Sequence, residues 1–395
     1  MLTREENERL TRVGPGTPMG ELLRRYWQPI CPAAELAGEK PLKRLRILGE
    51  DLVVFRMPDA RYGLMQERCQ HRGASLYYGF LESDGLRCAY HGWKYALDGQ
   101  CLEQPFEPAG SHFKERVCQP AYPVEQLAGL LFAYLGPPER KPLVPRWDVL
   151  VRPDGCRTVF VHPVLEANWL QPMENAVDTV HTYFLHGHMM KMKGISAGEY
   201  YLRPILNYEF EPFEWGIIKR RTYGGEHPET EAGHPLIFPN ALRVPTGPFH
   251  ALHWRVPIDD ARTQIFEVEF SGSDDGSEVE QADEAIPVEY LPSGMTEDGE
   301  YDMLTFPSQD KMAYETAGAI YDRSVEHLGA SDRGIALYRK MLREQLAIVE
   351  AGGEPMALVR DPAANTIIRF NTSQGQAAWA AQASGYYERQ APPAS

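Results

Sequence analysis

Two short runs carry the first recognisable chemistry: Cys69-Gln70-His71 and, after sixteen intervening residues, Cys88-Ala89-Tyr90-His91. Each run couples one thiolate to one imidazole, whereas zinc fingers usually place two cysteines in one knuckle and two histidines in the other. The mixed order suits a two-iron cluster in which one iron takes both thiolates and the other both imidazoles. A structural zinc site through the same four side chains is the alternative. Gly73 and Gly92, each close behind a histidine, let the backbone approach the site and are expected to offer N–H groups to sulfur.

CQHRGASL and CAYHGWKY resemble the two halves of the Rieske iron–sulfur signature. The resemblance implies a [2Fe–2S] cluster held by Cys69, His71, Cys88 and His91, acting as an electron relay whose potential is raised by exchanging thiolate for imidazole. Cys31, Cys101, Cys118 and Cys156 lack such partners and are read as buried free thiols.

The second constellation lies in the run from Asn168 to His186, with His181 and His186 five residues apart. Five steps of about 100° put them roughly 140° apart on a regular α-helix. Either the helix is distorted there, or His186 lies beyond its end, where Gly187 eases the exit. Asp178-x-x-His181-x-x-x-x-His186, downstream of a Rieske motif, resembles the mononuclear iron site of Rieske ring-hydroxylating oxygenases. That resemblance implies iron(II) on His181, His186 and a distant carboxylate, a 2-His-1-carboxylate facial triad. Asp310 matches the family's distal aspartate; Asp302, Glu315 and Asp322 are the competitors. It also implies that Asp178 bridges to a Rieske histidine of a neighbouring subunit, His91 by position. Asn175 matches a residue beside the iron, with a helix-start hydrogen bond as its other reading. His188 is read as a surface or outer residue.

The likeness extends to LTREENERLTRVGPGTPMGELLRRYW and DRSVEHLGASDRGI, and is greatest to the phthalate-dioxygenase and aryl O-demethylase branch. It implies a terminal oxygenase using O2 and two electrons per turnover on a small aromatic substrate, expected to be carboxylated. The expected assembly is a head-to-tail homotrimer or a dimer of trimers. No Gly-x-Gly-x-x-Gly fingerprint is present, so NAD(P)H acts only indirectly, through a separate flavin and iron–sulfur reductase with or without a ferredoxin. A Rieske electron carrier without oxygenase activity would need only the first constellation. Arg243, His250, His253 and Arg255 lie in strand-like sequence, where each either meets a substrate carboxylate or forms a structural ion pair.

These residues must be positioned by 395 residues, 43% hydrophobic and 24% charged, with net charge −15. That length favours more than one core, and the charge argues against nucleic acid or anionic membrane as partner. No run approaches a membrane span, and the charged amino terminus is unlike a signal peptide, so a cytoplasmic setting is expected. The fold class expected is α+β: an N-terminal helical segment (1–40), with GELLRRYWQPI helical, packing on the catalytic domain; a small all-β Rieske domain (41–147); and a catalytic domain (148–395). The resemblance implies that the last is a helix-grip, START-like arrangement of helices on an antiparallel sheet. The Pro-rich 137–147 reads as a linker. Helices are expected from near Gln309, and from a Ser331 cap to Gly352. Residues 271–302 hold eleven acidic side chains and no lysine or arginine, which reads as a solvated, mobile loop near the substrate mouth. Residues 40–100 sum to +3, a basic surface suited to steering an acidic electron donor.

Overall fold

The strand-like runs of the second half form one antiparallel sheet with a single parallel edge. In the computed structural model, which describes residues 1–370 except 232, 247 and 248, the order is Ile205–Phe213, Gly216–Tyr223, His234–Ile237, Ala241–Thr246, Phe249–Pro257, Thr263–Gly272, Gly155–Val161 and Val288–Tyr290. The tail of the expected catalytic domain, 371–395, lies outside the described residues.

Alternation along these strands separates two faces. Leu252, Trp254, Phe266, Val268 and Phe270 point to the back and are buried. There they meet a second sheet of Gln28–Pro32, Leu130–Ala133 and Val124–Leu127, with Phe132 edge-on to Trp254 at 5.5 Å. The other face carries His253, Arg255, Glu267, Lys219 and Arg221, and it lies under the histidine-bearing segment and the helix Phe306–Thr316. Ile265, from this face, clusters with Tyr314 of that helix.

The cysteine and histidine loops of the first half sit in a separate lobe of two four-stranded sheets. One comprises Leu42–Ile47, Glu50–Arg56, Tyr62–Gln66 and Ala121–Tyr122; the other comprises Phe80–Leu81, Leu86–Arg87, Lys94–Tyr95 and Cys101–Glu103. This lobe has its own core, including Phe55, Met65, Leu76, Leu86 and Tyr95.

Several expectations are corrected. GELLRRYWQPI is helical only over Pro18–Leu23; Gln28–Pro32 is a strand because its partner Leu130–Ala133 satisfies its backbone, which local periodicity does not reveal. Residues 137–147 form no loose linker: Leu143 N donates to Val359 O, Ile368 N to Arg146 O, and Trp147 packs on Phe370. The acidic stretch is partly structural, since Val288–Tyr290 runs parallel to Val159–Val161 and Ile286 is buried. The Gln309 helix begins earlier, at Phe306, capped by Thr305 with Pro307 in its first turn. Ser331 lies in a 3₁₀ turn, and the last helix spans Arg333–Glu350. Cys31 and Cys101 are buried thiols, but Cys118 and Cys156 are exposed; Cys156 takes an outward position of an alternating strand.

The last helix is held by charge as well as by its apolar stripe. Glu174 accepts from Arg323 and Arg339, and Arg339 also pairs with Glu326, all buried. Removing one member of a buried ion network strands its partners in a poor dielectric, at about 3–5 kcal/mol. Arg339→Met is therefore expected to lower the free energy of unfolding of this domain by about that amount. Urea titration followed by tryptophan fluorescence reads it, and a near-zero shift would show that the network contributes nothing.

Candidate metal centres

The two cysteine loops repeat one local geometry. In each, the cysteine N–H donates to the carbonyl of the residue five positions on (Ala74, Trp93), and the glycine four positions on donates back to the cysteine carbonyl at 2.8 Å (Gly73) and 3.0 Å (Gly92). Both glycines sit at φ +75°, the left-handed region that disfavours a side chain. The expectation that their N–H groups reach sulfur is corrected, since they close the loops onto the cysteine carbonyls. The amides that do reach the sulfurs belong to His71 at Cys69 and to Tyr90 and His91 at Cys88.

These loops bring all four side chains together. The thiols pair with each other, so that Cys88, hydrogen-bonded by Cys69, is held down to about 6 while Cys69 is pushed up. The His71 and His91 rings lie 4.5 Å apart, and His71 Nδ1 is buried with no hydrogen-bond partner. Two converging soft donors and two imidazoles, one with an orphaned nitrogen, fit a [2Fe–2S] cluster. Two neighbours escaped sequence reasoning: Trp93 stacks flat on His71 at 4.3 Å, and the Tyr95 hydroxyl lies 3.1 Å from Cys69 Sγ. Both stand within the quoted CAYHGWKY run, but their spacing alone assigns them no role.

The second centre rests on a broken helix. Leu170–Val177 ends at Asp178, whose backbone is extended and whose Oδ1 accepts from Val180 N at 2.8 Å. The chain re-enters at His181 and continues as a π-helix over Thr182–His188. Hydrogen bonding from i to i+5 brings residues five apart round to one side. Of the two options left by the spacing, distortion is the one realised. The His181 and His186 rings are 5.2 Å apart, and His186 Nε2 lies 3.4 Å from Asp310 Oδ1. One ligand atom from each of the three residues lies within 4.8 Å of the others.

The competing carboxylates are engaged elsewhere. Glu315 pairs with Lys311 and accepts from Glu166 N and Tyr301, Asp322 accepts from Ser324, and Asp302 from Leu304 N. Asn175 sits near the end of its helix, so the helix-start reading fails; its amide faces Asp310 Oδ1 at 3.5 Å. Asp178 Oδ2 stands 3.5 Å from His181 Nδ1, a buried nitrogen that meets no hydrogen-bond partner among the described residues. Burial pushes the Asp178 carboxyl up, but His181, the Val180 amide and Lys219 outweigh it and hold the group down to about 2. His188 is exposed and stacks on Phe184.

His186 Nδ1 lies 2.7 Å from Gln309 Oε1, and Gln309 is anchored in turn by donating to Met303 O. An acceptor at Nδ1 places the ring proton there and leaves Nε2 bare toward Asp310. Burial also pushes the His186 pKa down, favouring the neutral imidazole that a metal requires. Gln309 was missed because a glutamine beside an aspartate carries no pattern of its own. Gln309→Leu is expected to weaken retention of iron by about 10–100-fold. Iron counting after dialysis against a chelator, with the visible cluster absorption as internal reference, would expose an inert Gln309.

The four strand residues also separate. Arg243 pairs with Asp148 and contacts His250, and His253 pairs with Glu267. Arg255 is 6% exposed, forms no ion pair among the described residues, and leaves Nε without a partner. Burial lowers its pKa against the pull of Tyr314, Asp310 and Glu267, which places it electrically beside the triad.

Residues 26–123 match the Rieske [2Fe-2S] domain, and residues 292–383 match the family described as LigXa C-terminal domain like. The chain is 37% identical to the 5,5'-dehydrodivanillate O-demethylase oxygenase subunit of Sphingobium sp. (strain NBRC 103272 / SYK-6), over 94% of this chain and 87% of the relative. It is 32% identical to the phthalate 4,5-dioxygenase oxygenase subunit of Pseudomonas putida, over 89% and 88%. The fold is like that of the solved Pseudomonas putida CBB5 NdmA with caffeine, with a TM-score of 0.61 at 21% identity, covering 84% of this chain and 93% of that one.

Proposed function

Because the chain belongs to the Rieske non-haem iron oxygenases, as a terminal oxygenase subunit of the phthalate dioxygenase and aryl O-demethylase branch, we propose that it hydroxylates or O-demethylates a carboxylated aromatic compound. The observation that carries this reading is the convergence of His181, His186 and Asp310. When bound, a [2Fe–2S] cluster on Cys69, His71, Cys88 and His91 and an iron on His181, His186 and Asp310 supply the electron transfers and the dioxygen chemistry.

The chain's own residues orient and insulate that chemistry. Gln309 holds the proton on His186 Nδ1, and the Asn175 amide faces Asp310. Phe306, edge-on to His186 at 4.8 Å, shields the imidazole from water. Arg255 receives the substrate carboxylate, because a buried guanidinium without an anion is the complement such a group needs. In a head-to-tail trimer, or a dimer of trimers, Asp178 accepts a hydrogen bond from the next subunit's His91; supporting this, His91 is only partly covered and Tyr90 beside it is 58% exposed. The electrons come from a separate flavin and iron–sulfur reductase, directly or through a ferredoxin. Residues 41–147 form the electron-entry domain, 148–395 the catalytic domain, and 1–40 a segment docked on it. The setting is the cytoplasm; no helix among the described residues is long and apolar enough to cross a membrane.

Turnover with NADH, a reductase and a panel of methoxylated and unsubstituted aromatic acids tests the activity: formaldehyde release marks demethylation, a cis-diol marks dioxygenation, and no product from any acid refutes the substrate class. Asp178→Ala is expected to retain both metal centres by spectroscopy yet lose nearly all coupled product formation. Unchanged turnover in that variant removes the bridge.

A further inference from the structure

Among the described residues, the buried carboxylates follow a rule with one exception. Glu50 meets Arg24, Asp148 meets Arg243, Glu174 meets Arg323 and Arg339, and Glu326 meets Arg339. Glu267, equally buried, ion-pairs with no lysine or arginine among the described residues; His162 and His253 face it, and Glu269 hydrogen-bonds to it from the same strand. A buried carboxylate that relies on two imidazoles rather than a permanent cation is costly, because neutral imidazoles leave its charge unmatched.

The register brings these groups together from three adjacent strands. His253 and Glu267 are direct cross-strand partners in Phe249–Pro257 and Thr263–Gly272. His162 follows Gly155–Val161 on the other side of Thr263–Gly272, its N–H donating to Ile265 O at 3.1 Å. His162 Nε2 lies 2.7 Å from Glu267 Oε2, and His253 Nε2 lies 3.1 Å from Glu267 Oε1. Both imidazoles thus present Nε2 to one carboxylate, and one ligand atom from each residue falls within 4.8 Å of the others, as in the His181, His186 and Asp310 group. Glu269, two positions along the strand on the same face, supplies a second carboxylate, again without a lysine or arginine ion pair among the described residues.

We propose that His162, His253 and Glu267 form a second metal site, separate from the triad, that takes a divalent cation of the zinc class, with Glu269 beside it as a fourth donor. Two imidazole nitrogens and one carboxylate are a donor set zinc accepts, and a fourth position completes its tetrahedron. The ion replaces the missing guanidinium and ties three strands together beneath the helix that carries Asp310. Its role is structural, and it needs no redox partner.

The test is a metal count and a location on the full chain with its iron loaded. Holoenzyme is equilibrated with zinc in a chelator-buffered solution, metals are counted by mass spectrometry, and crystals are measured on both sides of the zinc absorption edge. The proposal expects one zinc per chain beyond the iron, with an anomalous peak between His162, His253 and Glu267. In His253→Gln and in Glu267→Gln, each with unchanged visible cluster absorption, that zinc falls by more than about tenfold, the effect that even outer partners of a metal ligand can have. Wild-type protein that binds no zinc above a surface background, a peak found only at the His181 site, or undiminished zinc in both variants would overturn it. The wild-type measurement stands even where a variant fails to fold.

Discussion

Two imidazoles five residues apart share one point only if the helix bearing them abandons its regular hydrogen bonding between them, and the groups around Asp178 serve that requirement. Ending one helix at Asp178 and starting a π-helix at Thr182 leaves carbonyls without helical partners. Cations on the sheet below answer them: Lys219 Nζ reaches Asp178 O at 3.4 Å, and Arg221 reaches Thr179 O at 3.5 Å and Thr182 Oγ1 at 2.9 Å. Upstream, Glu174 is clamped by Arg323 and Arg339, so the helix cannot slide to relieve the break. The irregular backbone is therefore bought with buried charge on its neighbours.

The same economy of charge revises the view of the Rieske lobe as a basic surface. Lys94 is buried among Glu82, Asp84 and Glu103, Arg87 pairs with Glu82 and Glu103, and Lys43 pairs with Glu35. Arg87 and Lys94 are thus engaged within the lobe, where they tie together the short strands that carry the second cluster loop. Among the described residues Lys40, Arg56, Arg68 and Arg72 form no ion pair; Lys40 lies over Tyr77 at 3.5 Å and Arg72 over Tyr90 at 5.7 Å. Of these four, Arg72 stands nearest His91, over the neighbouring Tyr90.

What was legible in the sequence was what depends on residue type and short spacing. The paired Cys and His runs, the alternating strands and the five-residue histidine spacing all announce their chemistry locally. Asp310 needed a resemblance, because nothing near it in sequence says that Phe306–Thr316 lies across from the π-helix. The strand Gln28–Pro32 was hidden for the same reason: its apolar residues fit a helix until Leu130–Ala133 supplies a partner. Charge misled where pairing is long-range, as in the basic lobe and in the acidic stretch that becomes an edge strand. Gln309 and Arg255 acquire meaning only from what they face.

The two cores differ in how much of the chain they draw upon. The core under the cluster loops is made from residues between Leu42 and Cys101. The larger one runs from Leu2 to Phe370, and the first helix, Arg4–Thr11, is tied in by Leu2 N just ahead of it donating to Arg323 O and by Arg9 donating to Glu350. A ribosome therefore releases everything the first lobe needs early, while the pocket of His181 and Asp310 must wait for nearly the whole chain. Folding is then separated in time as well as in space: every residue of the first core has left the ribosome while the group of His181, His186 and Asp310 still lacks its last member.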